Sequence, residues 1–381
     1  MQINIPNNVK FVLDTLSSAG FKAYIVGGCV RDNLLNLPAG DYDVCTNAKP
    51  EDVMGLFTKT VATGIKHGTV TVIIDRTPVE VTTFRTDGDY SDSRRPDTVE
   101  FTNDLKADLS RRDFTVNAMC YNEAEGLIDY FGGRDDLKAK TLRTVGDSDK
   151  RFCEDALRIL RLFRFASTLD FKPEKHTFDA AIKNARSLKN ISAERIEKEI
   201  KKLSCGKNPA AVLPLVDTGV LPLLKSNEKI SDIPLLPHNE GLKFFTFLYF
   251  LSDDLPAVLD FLKCSNAFKK YALSLSGQIN AEIKTRADIK RLLRNLENGI
   301  FDLLCLKSVI FKENTEYARR AAKEIIESGE PYKISQLKVN GKDIKTKGYK
   351  GKEVNDVLEK LLKTVTEEPN LNEYEILMNL I

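Results

Sequence analysis

Tyr24-Ile-Val-Gly-Gly-Cys-Val-Arg-Asp-Asn-Leu-Leu35 and, shortly after it, Asp41-Tyr-Asp-Val44 decide how the first part of this chain folds. The first stretch reads as strand, tight turn and helix. Gly27 and Gly28 let the backbone come close to a ligand and leave N–H groups pointing outward, a turn suited to phosphate. Taken alone, a Gly-Gly pair is equally an ordinary turn. The second stretch is a D-x-D expected on a strand, where residues two apart face the same side. Two such carboxylates repel unless a cation lies between them, and hard oxygen ligands suit Mg²⁺. A bare D-x-D also reads as a solvated pair at a loop edge. The Gly-Gly turn and Arg31-Asp32 upstream favour chemistry.

Around this nucleus lie further strand signals at Thr69–Ile74 and Val79–Phe84, with helices expected at Asn8–Ser18 and Pro50–Leu56. After Asp147 the pattern changes. Leu157, Leu160 and Phe163, then Ile191, Ile196, Ile200 and Leu203, recur at helical spacing, and strand signals nearly vanish. The 381 residues exceed one ordinary core. The residues read as an α/β or α+β head over 1–146, then an all-α neck (147–208), body (209–330) and tail (331–381).

Bulk properties exclude several classes. With 42% hydrophobic and 29% charged residues, the chain reads as soluble and globular. The longest apolar stretch, near Phe244–Leu251, is too short to span a bilayer, and the N-terminus carries no signal-peptide pattern. Seven widely spaced cysteines without a C-x-x-C pair argue against zinc or a disulfide framework and fit a reducing cytoplasm. Three histidines in unrelated contexts offer no metal site. Net charge is only +2, so nucleic-acid binding has to rest on local clusters.

Gly-Gly-x-Val-Arg-Asp followed by Asp-x-Asp resembles the signature of class II tRNA nucleotidyltransferases and bacterial poly(A) polymerases, members of the polymerase-β-type nucleotidyltransferase superfamily. Two later stretches extend the resemblance. Arg111-Arg-Asp-Phe-Thr-Val-Asn-Ala-Met119 is similar to the family's Arg-Arg-Asp motif, which implies contact with the incoming nucleotide. Arg112 can fork onto phosphate or ribose oxygens, and Asp113 can accept from a 2′-hydroxyl. Taken alone, R-R-D is usually surface decoration. Glu154-Asp-Ala-Leu-Arg158 is similar to the family's E-D-x-x-R. On one helix, Asp155 and Arg158 would be neighbours offering an acceptor beside donors. That pattern complements cytosine and adenine and mismatches uracil and guanine. The plain alternative is a surface salt bridge. The resemblance also implies nucleotide binding by Arg161 and Arg164, although on an ideal helix Arg164 points roughly opposite Asp155.

The resemblance is close over residues 20–205, recurs in 338–381 and is faint over 210–330. It implies an α+β fold, with a mixed sheet and helices in the head, and template-independent addition of CCA to the 3′ end of tRNA from CTP and ATP. Two Mg²⁺ ions on Asp41 and Asp43 would serve the transfer, and Gly28 and Arg31 would help hold the triphosphate. An A-adding enzyme, a poly(A) polymerase or a non-catalytic RNA-binding relative would share the motifs. Arg85–Asp97, rich in Gly, Asp and Ser, is expected to be a mobile loop, which in this family serves the final A. Glu80 is a candidate third carboxylate or a plain strand-edge residue. Asp129–Leu137 resembles a hinge motif, and Ser192–Glu199 a structural neck motif. Residues Lys333–Lys352 carry seven lysines against Asp343, which reads as a contact for the TψC region or as a solvated face. The acceptor stem and TψC region of tRNA are the expected partner, with no membrane and no obligate protein partner.

Overall fold

The computed structural model describes residues 3–88, 99–221 and 224–381, which form two compact units, Met1–Ser226 and Asn227–Ile381. The first begins with α1 (Asn7–Ser18), β1 (Ala23–Val26), α2 (Gly28–Leu34), β2 (Asp43–Thr46) and α3 (Pro50–Leu56). Strands β3 (Thr60–Gly64), β4 (Thr69–Ile74) and β5 (Thr77–Thr83) follow, then β6 (Arg85–Asp87) and β7 (Val99–Phe101). Next come α4 (Leu105–Ser110), β8 (Met119–Asn122), β9 (Gly126–Asp129) and α5 (Gly133–Lys138).

Seven strands make one mixed sheet in the order β3-β4-β5-β2-β1-β8-β9. Within it β2 and β5 run parallel, and the other pairs are antiparallel. The α+β head with a mixed sheet is therefore as expected from sequence. β1 is buried along its whole length, so its apolar run Ala-Tyr-Ile-Val meets no water on either face. Tyr24, Val26, Cys45, Phe84, Leu105, Leu109 and Cys120 pack into one buried cluster that carries α4 against the sheet. The segment expected as a loop from Arg85 instead begins as a strand, because β6 pairs with β7 in a two-stranded ribbon. Residues 89–98, the body of that segment, lie outside the described residues.

Beyond β10 (Thr141–Leu142), the unit continues as α6 (Ser148–Glu154), α7 (Leu157–Leu169), β11 (Lys172–Pro173), α8 (Lys175–Lys183) and α9 (Ala193–Ser204). Among the described residues the strand content here is the short parallel pair β10–β11 and a single bridge between Phe114 and Thr144. Helix α7 is buried on most of its circumference, with Leu157, Ile159, Leu160, Leu162, Phe163, Phe165 and Ala166 all inside. It packs on α9, whose Ile196, Ile200 and Leu203 line the facing side. The stretch resembling a hinge forms a tightly bonded turn. Asp129 accepts from the N–H groups of Gly133 (2.9 Å) and Arg134 (2.8 Å). A Cβ on Gly133 would lie 2.3 Å from the carbonyl oxygen of Thr115, so only glycine permits this approach.

The second unit is helical throughout its described residues. Helix Glu240–Leu251 buries Phe244, Phe245 and Phe247, and Phe244 stacks on Phe268 at 5.0 Å. The final segment has its own core of Val339, Ile344, Leu358, Leu361, Leu362, Val365 and Leu377. Of the seven tail lysines, Lys338, Lys342, Lys345, Lys347, Lys350 and Lys352 are exposed, whereas Lys333 pairs with Glu297 at 2.7 Å. No helix among the described residues is long and apolar enough to cross a membrane.

Candidate functional site

The Gly-Gly turn emerges at the end of β1, in the middle of the sheet. Gly27 has φ +81° and ψ −126°, a conformation essentially reserved for glycine. A Cβ there would also lie 2.9 Å from Nη1 of Arg112. The turn thus brings the Arg112 guanidinium over the end of β1. Gly27→Ala is expected to lower nucleotide incorporation at least tenfold, from roughly 1–3 kcal/mol of backbone strain and displacement of Arg112. Parallel measurements of activity and melting temperature check this, and unchanged activity would refute the role of the turn.

Strand β2 opens on Asp43 beside β1. Asp41 precedes the strand and is exposed, so the D-x-D straddles a strand start rather than lying within a strand. Tyr42, between the two aspartates, is held by Asn33 at 3.1 Å and by the Asn4 carbonyl at 3.2 Å. In the parallel β2–β5 pair, Asp43 stands directly opposite Glu80. Three acidic residues, Asp41, Asp43 and Glu80, are therefore brought to one edge of the head. Asp43 is reached by solvent, yet its carboxyl is raised above the ordinary aspartate value. The surrounding protein is the first cause, and repulsion from Glu80 and Asp41 adds to it against the pull of Arg112. A divalent cation would relieve that repulsion, so the donor set fits one. Among the described residues no cluster of three or more such side chains is already closed around a metal position. Cys29 is buried, and burial, then Asp43, push its thiol up to about 11.

The Arg-Arg-Asp motif follows α4. Arg112 is half-buried, has only a loose 3.9 Å approach to Asp108, and its Nε finds no partner. Asp108 itself is fully buried and accepts from the Arg85 N–H (3.2 Å) and from Arg111 (2.8 Å), tying the ribbon to this motif. Asp113 is buried and already engaged. One oxygen accepts from the Phe114 N–H (2.8 Å) and Asn117 (3.0 Å), and the other from Arg161 Nε (2.7 Å). Burial opposes the charge on Asp113, but Arg161, Asn117 and the Phe114 N–H outweigh it and hold the carboxyl well below the usual range. Asn117 also accepts from Arg31 Nη1 at 2.5 Å. A chain of contacts, Arg31–Asn117–Asp113–Arg161, thus runs from the Gly-Gly helix to α7.

The E-D-x-x-R stretch departs from the sequence expectation. Helix α6 ends at Glu154, Asp155 is extended at φ −141° and ψ 103°, and α7 starts at Leu157. Asp155 and Arg158 are therefore not neighbours on one continuous helix. The Asp155 carboxylate accepts from the Leu157 N–H (3.0 Å) and pairs with Arg195 of α9 at 3.1 Å. A cap at the broken helix competes successfully with a helical i,i+3 pairing. Arg158 is buried and donates to Glu154 (2.7 Å) and to the carbonyls of Arg151 (3.0 Å) and Arg111 (2.9 Å). That last bond fixes the backbone just before Arg112 and Asp113. Arg164 pairs with Glu199 at 2.6 Å.

Asn117, Glu154, Arg195 and Glu199 therefore belong to the constellation, although the sequence reading assigned them no part in it. Asn117 and Glu154 lie inside the quoted motifs. Arg195 and Glu199 lie inside the neck stretch that the resemblance marked as structural, which was the available signal.

Comparisons with known proteins cover the same ground. Residues 23–143 match the family described as the poly A polymerase head domain. Residues 170–226 match the family described as the probable RNA and SrmB-binding site of polymerase A. The CCA-adding enzyme of Ligilactobacillus salivarius (strain UCC118) is 38% identical over 397 residues, spanning 98% of this chain and 96% of that one. The CCA-adding enzyme of Geobacillus stearothermophilus is 49% identical over 222 residues, spanning 57% of this chain and 55% of that one. The crystal structure of the Bacillus stearothermophilus CCA-adding enzyme in complex with CTP has a TM-score of 0.84 to this chain. It is 31% identical and covers 98% of this chain and 95% of its own.

Proposed function

The chain belongs to the family of CCA-adding enzymes, and on that premise we propose that it adds C, C and A to the 3′ end of tRNA from CTP and ATP without a nucleic-acid template. The observation that carries this is the full-length likeness, 38% identity over 98% of the chain, joined to the acidic edge of Asp41, Asp43 and Glu80 beside Arg112. In the transfer, the tRNA 3′-oxygen bonds to the nucleotide α-phosphorus, the α–β phosphoanhydride bond breaks, and pyrophosphate leaves.

Enzymes of this family generally use a divalent metal ion. Mg²⁺ held by Asp41 and Asp43 would lower the pKa of the 3′-hydroxyl and neutralise charge on the triphosphate. Glu80, in register with Asp43, adds a third carboxylate to that edge. Gly28 keeps the backbone open to the triphosphate, and a Cβ there would meet nothing nearer than Arg31 at 3.6 Å. Arg31 and Arg112 meet phosphate. Asp113 holds Arg161 and Asn117 in place and faces the ribose when the nucleotide enters. Asp155 and Arg158 read the base, with Arg161 and Arg164 completing the cationic wall. Base binding then exchanges the Arg195 contact of Asp155 for the base amino group. The lysines of 333–352 contact the tRNA backbone near its TψC region. On this reading the chain is organised as head, neck, body and tail at the boundaries 146, 208 and 330.

The test is incubation of tRNA lacking CCA with Mg²⁺ and each nucleoside triphosphate singly or in pairs, resolved at single-nucleotide resolution. CTP alone is expected to give two additions, and CTP with ATP three. A ladder of A from ATP alone would identify a poly(A) polymerase instead. Deleting residues 88–97 is expected to leave CC addition within about threefold while the terminal A is lost, since the ribbon β6–β7 that carries them remains. Equal loss of C and A would overturn that role for the segment.

A further inference from the structure

Phe165 lies in α7, is 4% exposed, and is surrounded by three guanidinium groups. The carbon centres of Arg164, Arg31 and Arg161 lie 3.8, 5.0 and 5.4 Å from its ring centroid. All three are within the range at which an aromatic face attracts a cation. Like charges so close together repel, and each is compensated separately. Arg31 pairs with Asp32 at 2.8 Å, Arg161 with Asp113 at 2.5 Å, and Arg164 with Glu199 at 2.6 Å. What the three share is the phenyl ring. Phe165 also meets Phe114 edge-on at 5.8 Å, next to Asp113.

The arginines come from two elements. Arg31 follows the Gly-Gly turn on α2, whereas Arg161 and Arg164 sit on α7. A leucine of similar volume would fill the same space but offer no negative face. We infer that Phe165 is a positioning residue for nucleotide binding, its ring holding Arg31, Arg161 and Arg164 in one ordered cationic wall before the triphosphate arrives. This rests on the reading of these arginines as nucleotide-binding. Cations ordered in advance lose less freedom when they meet an anion, which strengthens binding without a new contact.

The test keeps the ring's shape and changes only its charge distribution. Phe165 is replaced by mono-, di- and trifluorophenylalanine through stop-codon suppression in the full chain. KM for CTP and ATP, kcat on tRNA lacking CCA, and melting temperature are then measured. The logarithm of KM is expected to climb steadily with each fluorine, to about tenfold at trifluorophenylalanine, with kcat and melting temperature nearly constant. Phe165→Leu is expected to raise KM at least as much. A KM that stays flat across the fluorinated series overturns the inference, even if Phe165→Leu is impaired, because the ring then acts by packing alone. An unsubstituted chain that adds neither C nor A to this tRNA overturns the underlying reading of the arginines instead. The two failures are therefore separable.

Discussion

Asp43→Ala is expected to reduce incorporation of both C and A by a hundredfold or more, with the fold intact. Asp43 stands at the start of β2, opposite Glu80, where its neighbours Glu80 and Asp41 are acidic and, among the described residues, Arg112 opposes them. Removing one carboxylate relieves repulsion in the free protein, so stability should hold or rise slightly. Catalysis should fall steeply, because metal-assisted activation is worth several kcal/mol of transition-state stabilisation. Asp41→Ala should behave alike, although Asp41 lies outside the strand. Primer extension on tRNA lacking CCA, together with circular dichroism and melting temperature, separates the two effects. Retention of more than roughly a twentieth of the original rate in either variant would reject the metal assignment. Glu80→Gln offers a graded comparison. It should raise the Mg²⁺ concentration needed for half-maximal rate while leaving more activity than either aspartate variant.

Arg158→Ala should change which nucleotide is used as well as how fast. If Arg158 reads the base, its loss removes a hydrogen bond to a charged group, roughly 1.5–3 kcal/mol, and relaxes the exclusion of UTP and GTP. The structure adds a second consequence. Arg158 is buried and holds the Arg111 carbonyl at 2.9 Å and Glu154 at 2.7 Å. Its removal leaves those groups partly unsatisfied, so a drop in melting temperature is expected as well. Arg158→Lys should recover part of the stability but not the selectivity, since an ammonium cannot present a planar fork. The deciding quantity is the CTP:UTP ratio of kcat/KM in the three proteins. If that ratio does not move while stability falls, Arg158 is a buried strut between α7 and the Arg-Arg-Asp motif and reads no base.

Much of the head was legible because its signals are local. The strand that leads into the Gly-Gly turn, the strand Thr69–Ile74 and the helix Pro50–Leu56 depend on neighbours in sequence, and the structure forms all three where expected. The Gly-Gly turn was likewise readable, since a backbone at φ +81° permits little but glycine. Partners were less legible. Asp155 and Arg158 were expected to be neighbours on one helix face, but the helix breaks between them. Each then takes a partner that sequence distance hides, Arg195 for one and the Arg111 carbonyl for the other.

The same division runs through the whole molecule. Residue types and short spacings by themselves determined a head of strands and helices, the helical remainder, and the paired carboxylates Asp41 and Asp43, because propensity, alternation and charge act over a few residues. The roles of Arg112 and the Glu154–Arg158 stretch came instead from the family resemblance of their motifs. Tertiary structure alone decided that Glu80 faces Asp43 across a parallel strand pair, that Asp113 is bound by Arg161, and that three arginines from two elements meet on Phe165. Those contacts depend on strand register and on the packing of α7 against the head. Register and packing follow from burying the apolar surface of the whole unit at once, which no short window of sequence contains.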